Sequence, residues 1–135
     1  MKQRRSWRPV VGCLMIVVVM SACILGSILS INGVCGAYLP QRLPTYPGAE
    51  VVAEGHNFLS SWGMGNTVLT LYTPDDPDTV RSWYAVQTGR FLRGAIENPT
   101  PITDLGRQIA RVDFSIARAE DGVGTQIILF GTCLN

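Results

Sequence analysis

The sequence predicts an α+β protein: an N-terminal transmembrane helix followed by a small ββαββ domain, an antiparallel sheet with one helix. Three observations carry that expectation. No charged side chain occurs between Pro9 and Pro40. Downstream, short β-branched and aromatic runs surround one segment with helix-start signals and helical spacing. An Asp121-Gly122 pair then joins two strand-like runs, the composition of a hairpin turn. The 135 residues leave room for one small domain beside a membrane span. The expected organisation is a basic tail at 1–9, a transmembrane helix at 10–34, a Pro-rich stalk at 35–48 and an exported domain at 49–135.

The span is the first element. Val10 to Ile31 reads VVGCLMIVVVMSACILGSILSI, and about 20 apolar residues in a helix cross a hydrocarbon core of roughly 30 Å. A helix is the single-segment solution in lipid because it satisfies every backbone N–H and C=O internally. Lys2, Arg4, Arg5 and Arg8 precede the run, with only Arg42 close behind it. The positive-inside bias therefore predicts a single-pass protein of the cell membrane, N-terminus cytoplasmic and C-terminal domain on the periplasmic side. The apolar run exceeds the core of about 7–15 residues in a cleavable signal peptide, which favours an uncleaved anchor. Met20-Ser21-Ala22-Cys23 looks like a degenerate lipobox, in which Cys23 would carry lipid, but Ile24 and Leu25 continue the apolar run. Ala22, Gly26 and Ser30 recur every four residues and would seat a neighbouring helix, unless the spacing is chance.

The domain elements follow in order. Tyr38 to Gly48 holds three prolines and ends in Pro-Gly, the mark of a stiff extended stalk. Ala49–Gly55 is a short strand candidate, and Asn66–Thr73 (NTVLTLYT) is rich in strand formers. Asp76 can cap a helix, Pro77 suits its first position and Asp78 complements its dipole. That helix should run from Pro77 to about Arg90, stopped by Gly89 or Gly94. Asn98–Gly106 reads as loop. In Gln108–Ala119, Ala110, Val112, Phe114 and Ile116 alternate with Arg111, Asp113 and Ser115, giving a strand with one wet face. The last strand, Gly124–Thr132, breaks this alternation: Ile127, Ile128, Leu129 and Phe130 are apolar on both faces. The helix covers one side. The stalk, the membrane or a partner protein must cover the other.

Composition excludes several functions. Beyond the tail the chain has seven Arg against ten acids and no Lys, so no nucleic-acid partner is expected, since phosphate affinity rests on positive charge. His56 is the sole histidine, and neither a Cys-x-x-Cys-His nor a Gly-rich phosphate loop with Lys occurs. Asp75, Asp76 and Asp78 lack calcium-loop spacing. No catalytic residue, metal ligand or cofactor site is assigned. Cys35 and Cys133 are the two exported cysteines and would pair in an oxidising compartment, unless Cys35 lies out of reach in the bilayer interface. Phe58, Trp62 and Met64 sit in an apolar loop. Either they meet a partner or membrane headgroups, or the loop folds back to complete the core. With Ile128 and Phe130 they form the candidate partner contacts.

Two stretches carry a resemblance: Leu43-Pro44-Thr45-Tyr46-Pro47-Gly48-Ala49, which opens the domain, and Tyr72-Thr73-Pro74-Asp75-Asp76-Pro77-Asp78-Thr79-Val80-Arg81-Ser82-Trp83-Tyr84, which leads into the helix. With the N-terminal span, they resemble small membrane-anchored exported domains of filamentous phototrophic bacteria. In size and layout the chain is similar to an accessory subunit of alternative complex III, the quinol-oxidising complex of those bacteria. The resemblance implies a non-catalytic scaffold in a respiratory or photosynthetic electron-transport complex. Its partners would be the larger membrane subunits of that redox complex and membrane lipid, and it carries over no catalytic residue and no cofactor. The competing expectation is a free-standing, membrane-tethered periplasmic binding module holding a ligand between sheet and helix. An enzyme is a third class, disfavoured because no base and nucleophile pair is evident.

Overall fold

The computed structural model describes residues 8–120 and 122–134. Lys2, Arg4 and Arg5 of the basic tail, and Asp121 of the hairpin turn, lie outside the described residues. The element order is α1 (Arg8–Arg42), β1 (Glu50–His56), β2 (Gly65–Thr73), α2 (Pro77–Glu97), α3 (Pro101–Ile109), β3 (Ala110–Arg118) and β4 (Thr125–Cys133). The chain divides between Ile31 and Asn32 into two compact units.

The first unit is the apolar part of α1, long and apolar enough to cross a membrane. Two of its serines bond back to the helix backbone. Ser27 Oγ donates to Cys23 O at 2.9 Å and Ser30 Oγ to Gly26 O at 2.8 Å, so neither hydroxyl needs water.

The second unit begins within the same helix, which corrects the expected stalk. Residues through Arg42 are helical, Pro40 included, and Tyr38, Leu39 and Leu43 are buried. A proline inside a helix forfeits a backbone bond and costs about 3 kcal/mol. Burial of Tyr38 and Leu39 offsets that loss. Pro44 and Pro47 fall after the helix end, where the chain turns and buries Tyr46. The segment is one wall of the core instead of a strap beside it.

The four strands form one antiparallel sheet in the order β1-β2-β4-β3. Central strands β2 and β4 pair from Gly65↔Cys133 to Thr73↔Thr125. Edge strand β1 carries a bulge between Val51 and Ala53, and its Glu50 and Glu54 blunt an edge that would otherwise pair with another chain. One face of the sheet is covered. There Leu69, Leu71, Ile127 and Leu129 meet Leu43, Tyr46, Val80 and Tyr84 in a single core. Aromatic contacts run across it: Tyr46–Trp83 at 5.2 Å, Trp83–Tyr84 at 4.8 Å and Tyr84–Phe114 at 5.1 Å.

The helix start at Asp76 follows its sequence signals, with Asp76 Oδ2 accepting from Asp78 N at 3.0 Å. The helix runs further than Arg90, through both glycines to Glu97, and Asn98 N–H closes it on Gly94 O at 2.9 Å. Each glycine costs about 1 kcal/mol against alanine. Phe91, edge-on to Tyr38 at 5.6 Å, and buried Ala95 outweigh that. A second correction concerns Asn98–Gly106. Thr100 and Thr103 form a reciprocal capping box, Pro101 takes the first helical position, and α3 follows. The domain order is therefore ββααββ, not ββαββ.

Cys35 and Cys133 are joined by a disulfide across a sequence separation of 98, with Cα atoms 6.1 Å apart. It ties the last strand to the first helical turns of the unit.

Candidate functional site

Strand alternation sends every second residue of β2 and β4 to the face that no helix covers. Three large apolar side chains stand there on the central strands: Val68, Ile128 and Phe130, at 38%, 37% and 38% exposure. Val68 lies directly opposite Phe130, and Thr70 opposite Ile128. On the far side of β4, Phe130 faces Asp113 and Ile128 faces Ser115. The face thus has an apolar centre with a polar margin of Arg111, Asp113 and Ser115 on β3 and Asn66 and Thr132 at one end. This arrangement is that of a protein contact, where an apolar centre is rimmed by polar groups. At the other end Val52, Tyr72, Ala119, Glu120 and Gln126 line a shallow depression of about 230 Å³.

The stalk does not cover this face, since Leu39, Leu43 and Tyr46 are spent on the opposite one. The layer between sheet and α2, where a binding module would hold its ligand, is filled by Leu69, Leu71, Val80, Tyr84, Ile127 and Leu129.

The apolar loop divides. Trp62 is half-buried inside its own domain. Its ring packs on Gly131, where a Cβ would come within 2.8 Å, and its backbone N–H donates to Thr67 Oγ1 at 2.9 Å. Trp62 thereby follows the second expectation, a loop folded back to complete the core, because the missing side chain at Gly131 makes the slot that its indole fills. Met64 is half-buried too, with its N–H on Asn32 Oδ1 at 3.0 Å. Phe58 and Leu59 remain exposed. His56 Nδ1 lies 3.1 Å from Phe58 O and, when protonated there, donates to it.

Ala22, Gly26 and Ser30 are exposed along α1, with nothing within 4 Å of a Cβ built at Gly26. Cys13 and Cys23 are free and exposed. Among the described residues no group of three or more His, Cys, Asp or Glu side chains is placed to hold a metal ion. Asp75 serves structure: Tyr46 Oη donates to its carboxylate at 2.6 Å, and Thr125 Oγ1 donates to its backbone oxygen at 2.6 Å.

Two phenols titrate high. The hydrogen bond to Asp75, with burial and the carboxylate charge, raises Tyr46 above the usual tyrosine value. Burial raises Tyr84 further, and its oxygen lies near the Tyr46 backbone without completing a hydrogen bond. Neither reaches the open face.

No protein-family model, characterised protein or solved structure matches this chain. Val52 and Val68 extend the candidate surface beyond the residues singled out in sequence. Val68 was detectable, because β2 is apolar at Val68 as well as at Leu69 and Leu71 and so has no fully wet face.

Proposed function

We propose that this chain is a non-catalytic accessory subunit of a membrane electron-transfer complex, of the quinol-oxidising type its layout resembles. In this reading α1 anchors it and the open sheet face docks against a larger subunit. The observation that carries the docking surface is the exposed cluster of Val68, Ile128 and Phe130 on the two central strands. Central strands of a four-stranded sheet are the positions best shielded by neighbours, so apolar residues exposed there mark a contact more strongly than scattered surface ones. The basic residues before the span support a cytoplasmic N-terminus and a periplasmic domain. The Cys35–Cys133 disulfide is in keeping with that oxidising side.

The test is co-purification from native membranes in mild detergent through a C-terminal tag, with a visible spectrum of the eluate. Stoichiometric subunits with haem or iron–sulfur absorption are expected. Ile128→Asp with Phe130→Asp should abolish their recovery while the purified chain keeps its disulfide and circular dichroism. A colourless monomer from wild-type membranes would refute the assignment. Undiminished recovery with the double variant would refute the docking face alone.

A further inference from the structure

We infer that one end of the second unit is a seat for the lipid headgroup layer, formed by the β1–β2 loop together with α3 and the ends of α2 and β4. The inference rests on reading Val10 to Ile31 as a span. That run is about 33 Å long as a helix at 1.5 Å per residue, enough for a hydrocarbon core of roughly 30 Å. The next residue, Asn32, is then at the lipid boundary by covalent connection alone, with no appeal to how helix and domain are oriented.

Asn32 is fastened to the β1–β2 loop. Its Nδ2 donates to Ser60 Oγ at 3.4 Å, and its Oδ1 accepts from Met64 N at 3.0 Å. Gly63 lies so close to the Asn32 amide that any Cβ there would collide with it. Successive Cα atoms are about 3.8 Å apart, so these loop atoms sit within roughly 10 Å of the point where the chain leaves the span. The headgroup layer is itself about 5–7 Å deep. A loop held there lies within reach of that layer.

The side chains at that end suit such a place. The register puts Gly65, Ala110 and Cys133 together at one end of the sheet. α2 runs back toward that end: Arg81 near its start reaches Ile116 O at 3.3 Å, while Phe91 further along meets Tyr38. Gly106 of α3 packs on the same Tyr38 ring, and Leu134 N–H donates to Ile109 O at 2.8 Å. Phe58, Leu59, Ile96, Ile102, Leu105 and Leu134 lie on the loop, helices and strand end that meet here, and all six are exposed. The opposite end, with the β3–β4 turn and the start of α2, carries Glu50, Asp75, Asp76, Asp78 and Glu120 against Arg81 and Arg118. At the end where the chain enters, apolar side chains stand with Arg93, Arg107 and Arg111 against Glu97 and Asp104, the latter paired with Arg107 at 3.6 Å, whereas the opposite end has five acids against two Arg. An interfacial surface has that polarity.

The test uses the full chain in nanodiscs of three parts phosphatidylcholine to one part phosphatidylglycerol. Single spin labels are placed in a Cys13→Ala, Cys23→Ala background at Leu59→Cys and at Val123→Cys, with the Cys35–Cys133 pairing verified by peptide mapping. A third sample labels native Cys23 with Cys13→Ala alone. Leu59 and Val123 are similarly exposed, at 59% and 65%, but sit beyond opposite ends of strands about 26 Å long. The expected result is a ratio of oxygen to nickel-chelate accessibility at Leu59 several-fold above that at Val123, with Cys23 deeper still. Equal aqueous ratios at Leu59 and Val123, with Cys23 deep, would overturn the seat and leave the span intact. An aqueous Cys23 would overturn the span and the seat with it.

Discussion

At the scale of single residues, the domain is specified by a few close approaches. Gly106 lies under the Tyr38 ring, and a Cβ there would overlap it. Tyr38 is fully buried and cannot retreat. Gly106→Ala should therefore cost about 1–3 kcal/mol, read as a lowered Tm with helix content otherwise kept; an unchanged Tm would show that α3 can slide away. The two raised phenols make a second prediction. Their folded pKa values lie above the ordinary value of about 10, so above that pH the unfolded chain loses protons that the folded one keeps. Their stabilisation is complete below about pH 10 and is lost as pH climbs through the raised values. Tm should stay level from neutral pH to about 10 and then fall, and the fall should be shallower in Tyr84→Phe. That variant also removes a buried hydroxyl with no partner, so at neutral pH it should be neutral or more stable by about 1 kcal/mol. A Tyr84→Phe protein that is less stable at pH 7 would mean the hydroxyl is hydrogen-bonded in solution.

At the scale of elements, the lesson is which local signals were read and which were overridden. Asp76-Pro77-Asp78 announced α2, and the alternation from Ala110 to Ile116 announced β3, because cap chemistry and period-two burial are local properties. The same grammar stood at Thr100-Pro101 with Thr103 and Asp104, yet the two prolines of Asn98–Pro101 masked it as loop. Thr100→Ala should remove the half of the box in which Thr103 N–H donates to Thr100 Oγ1, leave the Thr100 N–H on Thr103 Oγ1, and cost about 1 kcal/mol, seen as faster amide exchange in α3 than in α2; equal protection would mean that packing on Tyr38 holds α3 without its cap. The helical turns to Arg42 were not legible locally. Pro40 argues against them, and only Tyr38, Leu39 and Cys35 meeting distant residues makes them helix. The candidate surface divides the same way. Ile128 and Phe130 were visible as a break in β4 alternation, whereas the burial of Trp62 depends on Gly131, nearly 70 positions away, and no local pattern contains it.

At the scale of the whole molecule, the boundary between anchor and domain falls inside a helix, and this decides what can be separated. Divided by composition, the chain would be cut after the proline-rich segment at residue 48. Such a cut removes Cys35, Tyr38, Leu39, Leu43 and Tyr46, all at 8% exposure or less. Leu43 and Tyr46 belong to the central core cluster, and Tyr38 supports both Phe91 and Gly106. Losing the four large buried side chains among them, at about 1.5–3 kcal/mol each, is comparable with the whole 5–15 kcal/mol that typical domains possess. The disulfide goes too, and the entropic model assigns about 4–5 kcal/mol to a loop of this length. A chain beginning at residue 49 should therefore be unfolded, with dispersed tyrosine absorbance and no cooperative transition. One beginning at Asn32 keeps every one of those contacts, the disulfide and the loop anchored on Asn32. It should fold cooperatively, and reduction of its disulfide should lower its Tm markedly without changing its strand content. The comparison discriminates between two accounts of the helix end. If the chain from residue 49 folded as well as the chain from Asn32, the turns between Cys35 and Arg42 would be a tether laid on a finished domain, and the sheet and α2 alone would have to supply the core.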